Sequence, residues 1–210
     1  MPRLTCPSRP LTINLEGTLL SEELSALLTG LSGDDESALR ASDHIAAHGE
    51  AGAAAIQPLL AHQDADVRWW AVRTLAEVQG ADITPALISA LADPDPAVRQ
   101  CAALGLQQRP DDRAVPALIA ALSDTDSLVV RLAANALAVT GAAAVPELIN
   151  LVENSSSVSQ MEAIRSLALI GDTRSIPTLF NALDSDSALM EYWANEGLER
   201  MGVGMVFFKP

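Results

Sequence analysis

The chain has 210 residues, 49% of them hydrophobic and 19% charged, which is enough apolar matter for one soluble domain. Its formal net charge of −14 argues against tracking a phosphate backbone, because nucleic-acid affinity comes largely from Lys and Arg displacing counterions. Cys6 and Cys101 make no disulfide framework, and no apolar run suits a signal peptide or the roughly 18 residues of a membrane span, so a cytoplasmic protein is expected.

Residues 1–20 differ in character from the rest of the chain. Pro2, Pro7 and Pro10 oppose helix, while Leu11, Ile13 and Leu15 alternate with polar residues at the period of a strand. The segment reads either as an arm or as a cap over the first helix pair. Ser21, followed by Glu22 and Glu23, then reads as a helix start, a hydroxyl cap with acids where the helix dipole favours them.

From residue 21 to residue 202 the chain repeats itself. Ala41, Ala71, Ala102, Ala133, Ala163 and Ala194 recur at spacings of 30 or 31 residues, each followed four positions later by Ile45, Leu75, Leu106, Leu137, Leu167 or Leu198. An earlier set, Leu27, Ile56, Leu87, Leu118, Leu148 and Leu179, keeps the same time with its own apolar residue four later. Residues i and i+4 share one face of a helix and not one face of a strand, so each of the six copies is a helical hairpin. A hairpin of this size cannot close a core alone and must stack on its neighbours.

First helices are expected near 22–31, 53–61, 83–91, 114–122, 144–152 and 175–183. Pro85, Pro116, Pro146 and Pro177 fall in first turns, where a missing N–H costs nothing. The turns before the second helices carry Asp64 and Asp66, Asp93 and Asp95, Asp124 and Asp126, or Asp184 and Asp186, which read as caps and not as metal ligands. The fifth repeat has Glu153-Asn154-Ser155-Ser156-Ser157 there, a looser loop. Second helices stop near Gly49, Gly80, Gly141, Gly171 and Gly202, and the third stops at Arg109-Pro110 instead. The tail, residues 203–210, is too apolar to lie free in water, and serves either as a cap on the last repeat or as a partner-binding segment.

The stretches Pro85-Ala86-Leu87-Ile88 to Leu106, Pro116-Ala117-Leu118-Ile119 to Leu137, and Pro177-Thr178-Leu179-Phe180 to Leu198 resemble the HEAT-like repeat of the phycobilisome-lyase type. The resemblance implies an all-α fold, an α-solenoid wound as a right-handed superhelix from six helix-turn-helix repeats. It also implies that the second helices line a concave surface. Fold likeness of this kind does not carry function, which has to be argued from sites.

On a 100° wheel the anchor Ala and the residue four later sit at about 0° and 40°, whereas positions −2, −1, +2 and +6 fall between about 160° and 260°. Those positions form a ladder of side chains opposite the core. The ladder takes in Trp69, Trp70, Arg73, Arg131, Arg165, Tyr192, Trp193 and Arg200, including every Trp and Tyr in a chain that is only 3% aromatic. Five of the twelve arginines are on it, against the four acids Asp43, Glu77, Glu162 and Glu196. Trp, Tyr and Arg dominate binding hot spots through rigid area and multidentate donors. The competing reading is packing: one of two neighbouring tryptophans could turn toward an adjacent helix, and Tyr192-Trp193 could lie under the tail.

No catalytic constellation is expected. His44 and His48 are four apart on one helix without an acid or cysteine cluster to complete a metal site, and no His falls near the middle of the ladder for a Ser-His-Asp or Cys-His arrangement. No glycine-rich phosphate loop occurs, and no cofactor or metal is expected. The primary expectation is therefore a non-catalytic module that grips a protein partner with its Trp/Arg ladder, the partner offering apolar and acidic features. The alternative, implied by the family resemblance, is a phycobilin lyase or lyase-like chaperone. Its arginines would hold bilin propionates and its rings would stack on the tetrapyrrole, making a bilin or phycobiliprotein the partner.

Overall fold

The computed structural model describes residues 22–31, 33–155 and 158–203. Residues 1–20, with their strand-like alternation, and the tail from residue 204 lie outside the described residues, as does the middle of the serine-rich loop at 156–157. The fold is an α-solenoid: the described residues form twelve α-helices and short 3-10 segments, without a strand. The chain divides into two compact units, Met1–Ala81 and Asp82–Pro210. Among the described residues, no helix is long and apolar enough to cross a membrane.

Unit 1 contains two hairpins: α1 (Glu22–Gly30) with α2 (Asp35–Ala47), and α3 (Glu50–Ile56) with α4 (Ala65–Glu77). Unit 2 contains four. They are α5 (Thr84–Ala90) with α6 (Pro96–Gln108), α7 (Val115–Ala121) with α8 (Ser127–Thr140), α9 (Val145–Asn154) with α10 (Val158–Ile170), and α11 (Ile176–Ala182) with α12 (Ala188–Arg200).

Capping sets where the second helices begin. Asp64, Asp95 and Asp126 occupy the N-cap positions of α4, α6 and α8, each with a side-chain oxygen accepting from a first-turn N–H. Asp93 and Asp124 brace these caps by accepting from the N–H groups of Asp95 and Asp126 at 2.8 Å. Repeat six departs from the expected pattern. Ser187, not Asp184 or Asp186, stands at the N-cap of α12, and it makes no side-chain cap bond. Pro85, Pro116, Pro146 and Pro177 do open their helices. In repeat two the expected helix over 53–61 instead runs as α3 and then tightens to a 3-10 segment, Gln57–Ala61. Pro58 has no N–H to continue the i to i−4 ladder, which accounts for the change of winding. At the other ends, Gly141 and Gly171 take φ values of +77° and +68°, where a side chain would be strained.

The core follows the repeat. All six anchor alanines and all six residues four positions later are buried, the most exposed being Ala41 at 4%. On the first helices Ile56, Leu87, Leu118, Leu148 and Leu179 are buried, while Leu27 is half-buried. Small residues let neighbouring second helices approach closely. A Cβ on Gly197 of α12 would meet Ala168 of α10 at 2.8 Å, too near for any substitution without movement. Buried hydroxyls cross the same seams: Thr74 donates to Ser42 Oγ at 2.9 Å in unit 1, and Ser166 to the Ala134 carbonyl at 3.1 Å in unit 2. The turns are tied by charge. Arg99 forks onto both oxygens of Asp124 at 2.7 and 2.8 Å and also donates to the Asp93 and Pro94 carbonyls, fixing repeat three against repeat four.

Candidate functional site

With the Ala/Leu seam buried, the opposite side of each second helix carries the ladder. Of the 24 ladder positions, 23 escape full burial, the exception being Glu162 at 8% exposure. Tyr192 is 56% exposed, Arg131 and Arg200 are exposed, and Trp69, Trp70, Arg73, Arg165 and Trp193 are half-buried. The Arg200 guanidinium reaches back to the Ala168 carbonyl at 3.3 Å. Arg131 lies exposed on α8.

The structure gathers the rings into two clusters, one in each unit. In unit 1, Trp69 and Trp70 pack edge to face, with centroids 4.9 Å apart and planes at 85°. The guanidinium of Arg73, one turn further along α4, lies over the Trp70 ring at 5.7 Å. Behind it Arg73 Nη1 reaches Ser42 Oγ on α2 at 3.4 Å. Consecutive ladder residues on α4 create this group, since positions −1 and +2 are three apart and share a helix face.

In unit 2, Tyr192 and Trp193 on α12 pair edge to face at 5.3 Å and 75°. The guanidinium over Trp193, at 5.5 Å, comes from another helix: it is Arg165 of α10. Arg165 also donates to Glu162 Oε2 at 3.1 Å and to Asn135 Oδ1 of α8 at 2.9 Å. Three successive second helices, α8, α10 and α12, therefore contribute to one polar and aromatic cluster, and the burial of Glu162 is compensated by the charge beside it.

One outward position escapes the ladder as drawn from the sequence. Five residues before each anchor the wheel angle is about 220°, inside the outward arc. In the sequence this position holds Glu36, Asp66, Ala97, Leu128, Val158 and Leu189, of which Leu128 and Leu189 are 46% and 60% exposed. The signal was available from the same arithmetic, one helical turn earlier. With this position included, the outward faces differ in charge. Unit 1 presents two arginines, Arg40 and Arg73, against Glu36, Asp43, Asp66 and Glu77, while unit 2 presents Arg131, Arg165 and Arg200 against Glu162 and Glu196.

A hollow of about 510 Å³ opens in unit 1 beside the first cluster, walled by Trp69, Trp70, Leu39, Asp35, Asp64 and Asp66, among others. Its size falls within the roughly 300–1,000 Å³ of ligand pockets. Among the described residues, no basic side chain lines it.

The displaced acid titrations lie elsewhere, in the turns. Hydrogen bonds from Arg99 hold the Asp124 carboxyl below the usual aspartate value, and those from Arg113 do the same for Asp111 and Asp82. Arg174, through its side chain and its own backbone N–H, pulls Asp172 down to about 2. These are fold-supporting pairs. His62 accepts from the Asp64 N–H at 3.1 Å, and His44 and His48 are exposed. Among the described residues, no group of three or more His, Cys, Asp or Glu side chains could hold a metal ion. The outward face presents ring faces, guanidinium forks and carboxylates, groups suited to non-covalent contact.

The family described as HEAT repeats matches residues 52–138 and 131–199 of the chain. Among solved structures, the chain is similar to the archaeal HEAT-like repeats protein from Thermococcus onnurineus NA1. The two are 16% identical over 87% of this chain and 82% of that one, with a TM-score of 0.62. It is also similar to the complex of CpcE and CpcF of phycocyanin lyase from Nostoc sp. PCC7120, at 17% identity over 68% and 96% of the two chains and a TM-score of 0.53. A third is a designed armadillo repeat protein in complex with the peptide (KR)4, at 18% identity, 86% and 100% coverage and a TM-score of 0.51. At these identities the likenesses speak to fold. No curated protein matches the chain.

Proposed function

The chain belongs to the HEAT-repeat family, and from that premise we propose that it is a non-catalytic interaction module whose outward second-helix faces grip a protein partner. The observation that carries the reading is the placement of every Trp and Tyr on those faces, none of them fully buried, in a chain with so few rings to spend. A half-exposed ring ordered by an edge-to-face neighbour and an arginine is a pre-organised contact, so little freedom remains to be lost on binding. The designed armadillo repeat protein, similar in fold, was solved with a peptide bound, which supports peptide or protein recognition as a use for such a stack.

The experiment is affinity capture by the purified full chain and by two double variants, Trp70→Ala with Arg73→Ala and Tyr192→Ala with Trp193→Ala. Removing hot-spot residues should weaken capture of specific partners at least roughly tenfold in one variant or both. Identical captured sets from all three proteins would contradict the reading.

A second reading, that of a bilin lyase or lyase-like chaperone, has one observation in its favour: Arg73 over Trp70 and Arg165 over Trp193 put a guanidinium beside an aromatic face, as a bilin propionate and ring would require. The likeness to CpcE and CpcF supports it at the level of fold. Titration with a bilin separates it from the first. A shifted visible band with quenched tryptophan emission supports the bilin reading, and silence in both discards it.

A further inference from the structure

The hollow in unit 1 combines features that the rest of the outward face does not. Two perpendicular indoles, Trp69 and Trp70, form a corner, Leu39 adds an aliphatic wall, and Asp35, Asp64 and Asp66 contribute carboxylates. The acids sit at helix starts: Asp35 is the first residue of α2, Asp64 the N-cap of α4, and Asp66 lies in its first turn. Each helix start carries roughly half a positive charge, so two of them offset about one of the three carboxylates and leave the hollow negative by about two charges. Asp64 accepts from the Asp66 N–H at 3.0 Å, which holds its carboxylate in place. Nearby cations are already engaged, Arg73 lying over the Trp70 ring at 5.7 Å with its Nη1 reaching Ser42 Oγ. Arg68 donates to the His62 and Gln63 carbonyls, and Arg40 pairs with Glu36 at 3.2 Å.

We propose that this hollow is the receptor for an arginine side chain projecting from a partner polypeptide. The proposal rests on the interaction-module reading and names the chemistry of one contact within it. A guanidinium suits the site because its flat face stacks on an indole while its in-plane N–H groups fork onto carboxylates. A lysine ammonium satisfies the charge but not the flat wall, and binds more weakly here. The chain's own charge of −14 steers a basic segment toward it. The sequence expectation of an acidic partner came from the arginines of the ladder. In unit 1 the ladder itself is balanced, Arg40 and Arg73 against Asp43 and Glu77, and Glu36 and Asp66, five residues before the anchors, make that face acidic.

The test uses the full chain and three neutral-capped peptides of one length, Gly-Ser repeats carrying two arginines, two citrullines or two glutamates, with binding followed calorimetrically at low and at physiological salt. The arginine peptide is expected to bind, with affinity falling as salt rises and about threefold to fivefold weaker for each of Asp35→Asn and Asp66→Asn. Glu147→Gln, which removes an exposed carboxylate from the first-helix side on α9, is expected to leave binding unchanged. Neither Asp35 nor Asp66 supplies the N-cap bond of its helix, and circular dichroism verifies that the variants fold. Equal binding of the citrulline peptide, preferential binding of the glutamate peptide, indifference to both aspartate changes, or no binding of the arginine peptide would each overturn the proposal. If captured partners still depend on Trp70 and Arg73 while the peptide fails, the arginine site alone is wrong. If capture is also indifferent to those residues and to Tyr192 and Trp193, the parent reading is wrong.

Discussion

In unit 1, Arg73 lies over Trp70 with a 3.4 Å reach to Ser42 behind it. In unit 2, Arg165 lies over Trp193 while donating to Glu162 at 3.1 Å and to Asn135 at 2.9 Å. The first arginine and its rings belong to one helix, whereas the second joins α8, α10 and α12. The difference teaches that a guanidinium on an indole is not by itself a sign of function. Arg165 has a structural duty to a buried acid, and Arg73 is the freer of the two to meet a partner.

The widest test of this contrast sets core against outward face. Leu167→Ala removes a fully buried side chain from the seam of unit 2 and should cost about 2–5 kcal/mol, read from urea unfolding. Trp70→Ala, losing one edge-to-face pair and one cation–π contact, should cost about 1 kcal/mol. Equal losses would make Trp70 a core residue.

Next comes the contrast between the arginines. Arg165→Met leaves the Glu162 carboxylate buried without its charge partner and should destabilise by about 1–3 kcal/mol. Arg73→Met should stay within about 0.5 kcal/mol. Comparable melting of the two variants would erase the distinction between a structural and a free guanidinium.

Acid should act on unit 2 through its turns. The Asp124 carboxyl lies below its ordinary value when folded, so the stability it supplies is present above the unfolded value of about 3.9 and is lost as pH falls through the lower folded one. Asp124→Asn should therefore lower the urea midpoint at about pH 7 and flatten its decline below about pH 4. An unchanged slope would assign the acid sensitivity elsewhere, for instance to Asp111 or Asp172. The smallest effect is expected at Arg40. Its pair with Glu36 is exposed at both ends, and Arg40→Ala should leave the melting temperature unchanged.

The hairpins, the caps at Asp64, Asp95 and Asp126, and the buried Ala/Leu seam were legible in the sequence because each depends on local spacing. The 3-10 winding after Ile56 has its cause in Pro58, which lacks the N–H that an α-helix needs there. The uncapped start of α12 could not be read, because Asp184 and Asp186 look like the aspartates that cap elsewhere. At the candidate site the wheel placed the rings and arginines on one arc, but it does not state which arginine meets which ring. That Arg165 serves Trp193, 28 residues away, depends on how α10 packs against α12. The acidic hollow is not legible in the sequence because Asp64 and Asp66 have the spacing of helix caps, and that spacing does not say that Asp35 and two indoles converge on them.

That partners meet the second-helix face is tested most directly by placing a photo-crosslinking benzophenone side chain at exposed outward positions, Leu39 or Val139, and at exposed first-helix positions, Ser89 or Glu147. Partner adducts are expected from positions 39 or 139 and none from 89 or 147. Adducts confined to the first-helix positions would contradict the outward-face reading.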